Sequence, residues 1–186
     1  MRIISGQLKG KSINFVKNTA TRPLKDSVKE NIFNILKHSN LINVQIEKAN
    51  ILDLYSGIGS FGLECISRGA KHAAFFEKDL NTLKILNENI VKLSVMKQAT
   101  VNNGKIENFL SKKQKKNYNI FFLNRPFSDL EFIENLNSIK KNVIFPNKHV
   151  VIIHREKFSK DNLDNILSIL IEKTYGRSKI IFGKFK

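Results

Sequence analysis

Apolar and polar residues change rhythm twice along this chain. Residues 1–20 alternate apolar with polar or glycine positions, and Gly6 and Gly10 punctuate them. This predicts a short hairpin rich in Lys9, Lys11 and Lys17. The segment TRPLKDSVKENIFNIL then predicts a helix, with Pro23 suited to its first turn and Val28, Ile32, Ile35 and Leu36 along one face. From residue 50, strand and helix patterns alternate. ANILDLYS, HAAFFEKD, the weaker ATVNN, NYNIFFLN and HVVIIHR read as buried strands. Between and after them SFGLECISRG, LNTLKILNENIVKL, a short stretch around ENFLSK, SDLEFIENLNSIKK and DNLDNILSILIEK read as helices, and SKIIFGKF as a last strand. Repeated β–α units predict a mostly parallel α/β sheet covered on both faces, with the two terminal strands close enough to pair antiparallel. Residues 1–40 form an extension and 41–186 the main unit of one compact body.

Composition narrows the partners. The 186 residues suffice for one substantial core. The chain carries 32 Lys+Arg against 16 Asp+Glu, a formal charge of +16. Such an excess concentrates polyanions, and nucleic acid is the usual partner. Biased codon usage would explain many lysines but not the shortage of acids. The lone Cys65 falls on the apolar face of a predicted helix, which excludes a disulfide framework and suits a reducing cytoplasm. His38, His72, His149 and His154 show no metal-ligand spacing and read as structural or surface groups, so no metal is expected. No apolar run approaches the ~18 residues of a membrane span, and MRIISGQLKGK lacks the apolar segment of a signal peptide. The run KKQKK reads as a solvated loop.

The stretch ILDLYSGIGSFG, residues 51–62, holds a complete G-x-G-x-x-G at a strand–helix turn, the usual place for a pyrophosphate. Asp53 stands four residues before the first glycine, and Glu77 ends the next strand. At an effective dielectric of 20, like charges 4 Å apart lose about 4 kcal/mol, so a phosphate ligand is disfavoured. S-adenosylmethionine has no phosphate and offers an amino group, a sulfonium and ribose hydroxyls. Asp53 is expected near the amine and sulfonium. Glu77, 18 residues after Gly59, is expected at the ribose, where an acid at a spacing of ~20 residues sits in nucleotide folds. The bland alternative is a tight turn flanked by solvated acids.

Strand four ends in FFLNRPF. A carboxamide, a proline and an aromatic at a strand tip suit methylation of an exocyclic amine. The Asn124 oxygen and the Arg125 carbonyl would hold the amine in line with the methyl group, and Phe127 would stack a flipped-out base. The alternative is a loop in which Asn124 satisfies its own backbone and Phe127 fills core.

These pieces together resemble the RsmD family, bacterial methyltransferases acting on guanine N2 of small-subunit (16S) ribosomal RNA. The resemblance runs nearly end to end, through MRIISGQLKGK, TRPLKDSVKENIFNIL, ILDLYSGIGSFGLECISRGA, FFEKD, the strand-four tip and TYGRSKIIF. It implies a Rossmann-like seven-stranded methyltransferase sheet, an N-terminal RNA-contacting extension and S-adenosylmethionine as cofactor. Carried onto this chain, it places the catalytic group at Asn124, Arg125, Pro126 and Phe127. Asp53, Tyr55, Ser56, Gly57, Gly59, Glu77, Lys78, Ile106 and Asn124 would hold the cofactor. Lys9, Lys11, Arg22, Lys25 and Arg125 would meet RNA phosphates, although Arg22 serves equally as a salt-bridge partner of Asp26 or Glu30. The implied partner is ribosomal RNA, in the small subunit or its assembly intermediate, met by a monomer in the cytoplasm.

Two departures separate the chain from the family pattern. The tip reads Asn124-Arg125-Pro126-Phe127 where the family has Asp-Pro-Pro-Tyr or Asp-Pro-Pro-Phe, and Lys105 falls where an aspartate often meets the adenine amine. A lysine cannot accept that hydrogen bond, so the backbone near Ile106, or Glu107, is expected to replace it. The departures keep open a second function, an RNA-binding ribosome-assembly protein with weakened chemistry on the same fold. A small-molecule methyltransferase fits poorly with the +16 charge.

Overall fold

Each of the apolar strand patterns from residue 50 onward enters a single sheet. In the computed structural model, which describes residues 1–15, 24–104, 106–111, 113, 116–124 and 132–186, the strands are β1 (Asn50–Leu54), β2 (His72–Glu77), β3 (Ala99–Asn103), β4 (Ile120–Asn124), β5 (Val150–Glu156), β6 (Leu167–Tyr175) and β7 (Ser178–Phe185). Their order is β3-β2-β1-β4-β5-β7-β6. The first five pair in parallel, and β7 lies antiparallel between β5 and β6. This is the Rossmann-like methyltransferase sheet that the resemblance implies. The order reverses between β1 and β4, which puts a ligand crevice outside the carboxyl ends of those two strands.

Helices α1 (Asp26–His38), α2 (Ser60–Ser67), α3 (Leu80–Lys92), α4 (Ile106–Leu110) and α5 (Phe132–Asn142) accompany the sheet. Successive residues of a strand face opposite sides, and here both sides are apolar because both are covered. Ile51, Phe75 and Phe122 join Phe33, Phe61 and Leu86 in one cluster, while Leu52, Phe121 and Leu123 join Leu136 and Ile139 in the other. Phe61 bridges helix and sheet, its ring stacked 5.2 Å from Phe33 and 4.0 Å from Phe122.

The expected N-terminal hairpin is reduced to one antiparallel bridge, Arg2 with Ser12, closed by Ile3 N–H to the Lys11 carbonyl at 2.9 Å. It is fastened to α2 by buried charge. Glu64 accepts from the backbone N–H groups of Ile4 and Ser5 at 2.8 and 2.9 Å and from Arg68 Nε at 2.9 Å. Lys29 Nζ lies 3.8 Å from Glu64 and donates to the Arg2 carbonyl and Ser60 Oγ. Lys29 and Glu64 are both fully buried. Each charge has a second partner, Lys29 in Asp26 at 3.5 Å and Glu64 in Arg68 at 2.9 Å, so the four form a network.

One predicted element is wrong in kind. DNLDNILSILIEK was expected as a helix, but its second half forms β6, the seventh strand of the sheet. Its apolar residues do not make a buried helical stripe, since beyond Ile166 and Leu167 the segment is half-buried or exposed. A two-residue turn at Gly176 (φ 58°) and Arg177 folds it back on β7, and backbone pairing with a neighbour outweighs helical propensity. A register shift between Ile169 and Ile171 marks it as a bulged edge strand. Lys17, Arg22, Pro23, Lys105, Arg125, Pro126 and Phe127 lie outside the described residues. Among the described residues no helix is long and apolar enough to cross a membrane.

Candidate functional site

The loop after β1 turns sharply, with Tyr55, Gly57 and Gly59 at φ 58°, 56° and 83°. Its three glycines do different work. A side chain at Gly59 would come 2.5 Å from Leu86 Cδ1, and one at Gly62 would come 2.3 Å from Phe75 Cε1. Those two glycines let α2 and the loop close on the sheet. A side chain at Gly57 would meet nothing within 4 Å, so Gly57 supplies left-handed backbone beside open space, the form of a ligand cradle.

Glu77 holds that cradle to β2. Its Oε2 accepts from Gly57 N–H at 2.9 Å, and its Oε1 accepts from Lys78 and Asp79 N–H at 2.9 and 3.0 Å. A carboxylate has about four acceptor sites, so three bonds fix its direction and leave capacity for a ligand hydroxyl. Lys78 takes part through its backbone, its side chain being exposed. Ser56 turns inward and donates from both backbone N–H and Oγ to the Phe76 carbonyl, at 2.9 and 3.3 Å. The ring hydroxyl of Tyr55 accepts from Asn135 Nδ2 at 3.1 Å, and the same amide donates to Glu107 Oε1 at 3.0 Å. Asn135, buried on α5, thereby ties the loop to α4, where Ile106 is buried in the first turn. Glu107, expected with the Ile106 backbone as an alternative acceptor for the adenine amine, accepts this bond through Oε1. Nothing in the sequence pattern singles out Asn135, which sits as a polar residue on an otherwise apolar helix face.

Asp53 is placed differently from the expectation. Its carboxyl is 1% exposed, and Oδ2 accepts from Gly62 N–H at 2.9 Å. Gly62 is the third residue of α2, whose preceding residue, Gly59, provides no side-chain cap. Asp53 therefore caps the helix from the neighbouring strand. Burial pushes its acid well above the usual range, the Gly62 hydrogen bond opposes this, and the Glu77 charge adds to it. Of the two acids expected at the ligand, Glu77 stands at the loop, while Asp53 lies buried beneath it with one oxygen on Gly62. Asp53 Oδ1 keeps no hydrogen-bond partner although buried.

Across the switch point, Leu54 pairs with Leu123, which sets Asn124 next to the start of the glycine loop. Asn124 is in register with His154 on β5, and its Oδ1 lies 2.7 Å from His154 Nδ1. His154 Nε2 lies 2.9 Å from Ser178 Oγ. A carboxamide oxygen only accepts, so Nδ1 carries the proton and the Ser178 hydroxyl donates to Nε2. Burial lowers the imidazole to about 4, so it is neutral at pH 7. The Asn124 oxygen, expected to face an acceptor amine, spends one lone pair on His154 and keeps the other. His154, read from sequence as structural or surface, is found against the candidate residue. The signal that could have revealed it was strand register.

The described basic candidates divide between the two ends of α2. Lys25, exposed, stands one turn before Lys29, whose ammonium reaches Ser60 at the start of α2 beside the glycine loop. Lys9 follows a turn in which Gln7 and Leu8 N–H bind the carbonyl and Oγ of Ser67, at the far end of that helix. At 1.5 Å per residue the far end lies roughly 10 Å from Ser60. Lys9 thus sits away from the crevice, and Lys11 is exposed on the connecting limb. A cleft of about 280 Å³ lined by Asn43, Glu47, Asn119 and Lys148 opens at the amino ends of the strands, the wrong edge for this chemistry. Among the described residues no group of three His, Cys, Asp or Glu side chains could hold a metal.

A family model described as conserved hypothetical protein 95 matches residues 1–184. YlbH of Bacillus subtilis (strain 168) is 34% identical over 131 residues, 69% of this chain and 68% of that protein. The protein named ribosomal RNA small subunit methyltransferase D in Escherichia coli (strain K12) is 30% identical over 156 residues, covering 84% of this chain and 75% of the relative. The solved structure of Escherichia coli yhhF superimposes with a TM-score of 0.84 at 27% identity, covering 100% of this chain and 98% of the other.

Proposed function

The chain belongs to the family described as conserved hypothetical protein 95, the RsmD methyltransferases, and from that premise we propose that it methylates N2 of a guanine in small-subunit ribosomal RNA with S-adenosylmethionine as donor. The observation that carries the reading is the meeting, at one switch point, of a Glu77-anchored glycine cradle and a carboxamide held in a fixed direction by His154. The residues present suit the cofactor. Gly57 leaves room for it, Glu77 retains acceptor capacity for ribose hydroxyls, and the unpartnered Asp53 Oδ1 offers a buried acceptor to a donor such as the amino group. Bound there, S-adenosylmethionine supplies an electrophilic methyl group.

The chain's own contribution is orientation. Asn124 accepts from the guanine amine through its remaining lone pair and holds the nitrogen in line with the methyl group. His154 and Ser178 keep the carboxamide from rotating. No general base is needed, because the amine releases its proton to water after transfer. Arg125, Pro126 and Phe127 complete the acceptor site on this reading, with Phe127 stacking the base. Lys25 meets phosphates nearest the crevice, Lys9 and Lys11 meet them farther out, and Arg22 is a further phosphate contact on this reading. On this reading the protein works in the cytoplasm, where ribosomal particles are assembled, and acts as a monomer.

The second reading, an assembly factor with weakened chemistry, is favoured by one observation. A carboxamide already bonded to His154 is a weaker acceptor than a carboxylate. Incubation with labelled cofactor and unmodified small subunits, followed by mass-spectrometric mapping of methylated nucleosides, separates the two. Label at a single guanine N2 is expected. Tight binding of the particle without label would replace the first reading by the second. Asn124→Ala is expected to slow transfer roughly 100-fold or more while cofactor affinity stays within about twofold.

A further inference from the structure

The edge that carries Asn124 continues past β5. Because β5 runs parallel to β4 with His154 opposite Asn124, residues 157–160 emerge on the same carboxyl side as the glycine loop. Phe158 stands four residues beyond His154, within about 14 Å along the backbone. Its ring is 76% exposed, more than any other large apolar side chain among the described residues. The turn that carries it is built firmly. Lys157 N–H donates to the Arg177 carbonyl at 2.9 Å, Ser159 N–H to the Glu156 carbonyl at 3.1 Å, and Lys179 Nζ to the Ser159 carbonyl at 2.8 Å.

Cations surround the ring. Lys157 Nζ lies 5.3 Å from the ring centroid, within the range of a cation–π contact. Lys160 and the hairpin tip Arg177 are exposed nearby. The acids of the stretch are Glu156 and Asp161, and Asp161 is clamped by Arg155 through bonds of 2.8 and 3.0 Å. An aromatic face held out from a rigid turn and flanked by cations is the combination that single-stranded nucleic acid uses, with base on ring and phosphate on cation. On a chain of charge +16 the complementary partner is a polyanion.

We propose that Phe158, with Lys157, Lys160 and Arg177, is a stacking platform for an unpaired base of the RNA substrate that flanks the methylated guanine. The platform rests on the reading of the protein as an RNA methyltransferase and assigns RNA contact to the β5–β7 part of the sheet's carboxyl edge. Stacking is indifferent to base identity, so it anchors the strand without choosing the target.

The test is fluorescence anisotropy of a labelled single-stranded RNA of about 12 nucleotides, without cofactor, across a salt series. Phe158→Ala is expected to weaken binding roughly 5- to 100-fold with an unchanged salt slope, and Phe158→Trp to restore it. Lys157→Ala and Arg177→Ala should each reduce the logarithmic salt slope by about 0.7. Because the ring is exposed, the melting temperature of Phe158→Ala should match that of the wild type. Binding by Phe158→Ala within twofold of wild type overturns the platform even where the wild type methylates ribosomal particles, and leaves the ring to a protein partner. Loss of RNA binding in Phe158→Ala by a wild type that transfers no methyl keeps the platform and removes the enzymatic reading.

Discussion

The two halves of the sheet's carboxyl edge handle polar groups in opposite ways. On the β1–β2 half, carboxylates bind backbone: Glu77 takes three N–H groups of the loop and strand end, and Asp53 takes the Gly62 N–H. On the β4–β5–β7 half, neutral side chains bind one another in a line from Ser178 through His154 to Asn124. The first arrangement fixes a main-chain cradle and tolerates little variation in glycine. The second fixes the direction of a single side chain. A donor that must be held by shape suits the former, and an acceptor that must be aimed suits the latter.

The largest test of this contrast is acid. Folded His154 sits near 4 against an unfolded value near 6.5. Between those values the unfolded chain takes up a proton that the folded chain refuses, so stability is full above 6.5 and falls as pH drops toward 4. The loss amounts to about 3 kcal/mol. Urea unfolding of His154→Phe should lack this component of the acid slope. An unaltered slope would mean that the acceptor half is not held by a neutral imidazole.

A smaller effect is expected on the other half. Gly62→Ala forces a methyl group to within 2.3 Å of Phe75 Cε1 and 3.0 Å of Asp53 Oδ2. It should lower stability by about 2 kcal/mol in chemical denaturation. Smallest is Gly57→Ala, which meets no atom but requires φ 56° of a residue with a Cβ. About 1 kcal/mol of stability should go, together with cofactor affinity measured by calorimetry, while RNA affinity stays the same. If Gly57→Ala weakened RNA and cofactor alike, the division of the edge would fail.

The cradle was legible in the sequence because it is local. A glycine triplet and an acid one strand later fall within ILDLYSGIGSFG and HAAFFEKD, and the buried strands around them announce themselves. The relay was not legible, since Asn124 meets His154 and His154 meets Ser178 only through strand register. Asp53 is a subtler case, since its spacing marks it in the sequence but only the structure shows that one of its oxygens caps α2 while the other is left without a partner. The segments TRPLKDSVKENIF and GLECISRGA marked the family, but only the structure shows that Lys29 and Glu64 within them form a buried pair tying the N-terminal segment to α2. The β6 error came from reading apolar spacing alone, where the turn at Gly176 and Arg177 decided the outcome.

Strand order also sets a timetable for synthesis. β1 leaves the ribosome early, yet the flank it shares with β4 stays unpaired until Ile120–Leu123 have been made, and the flank of β5 waits for β7. During that interval the nascent chain displays an apolar strand with free N–H and C=O groups, the form most prone to pair with a neighbour. Slowing translation between β3 and β4 should therefore raise the insoluble fraction more than slowing it within the late β6–β7 hairpin.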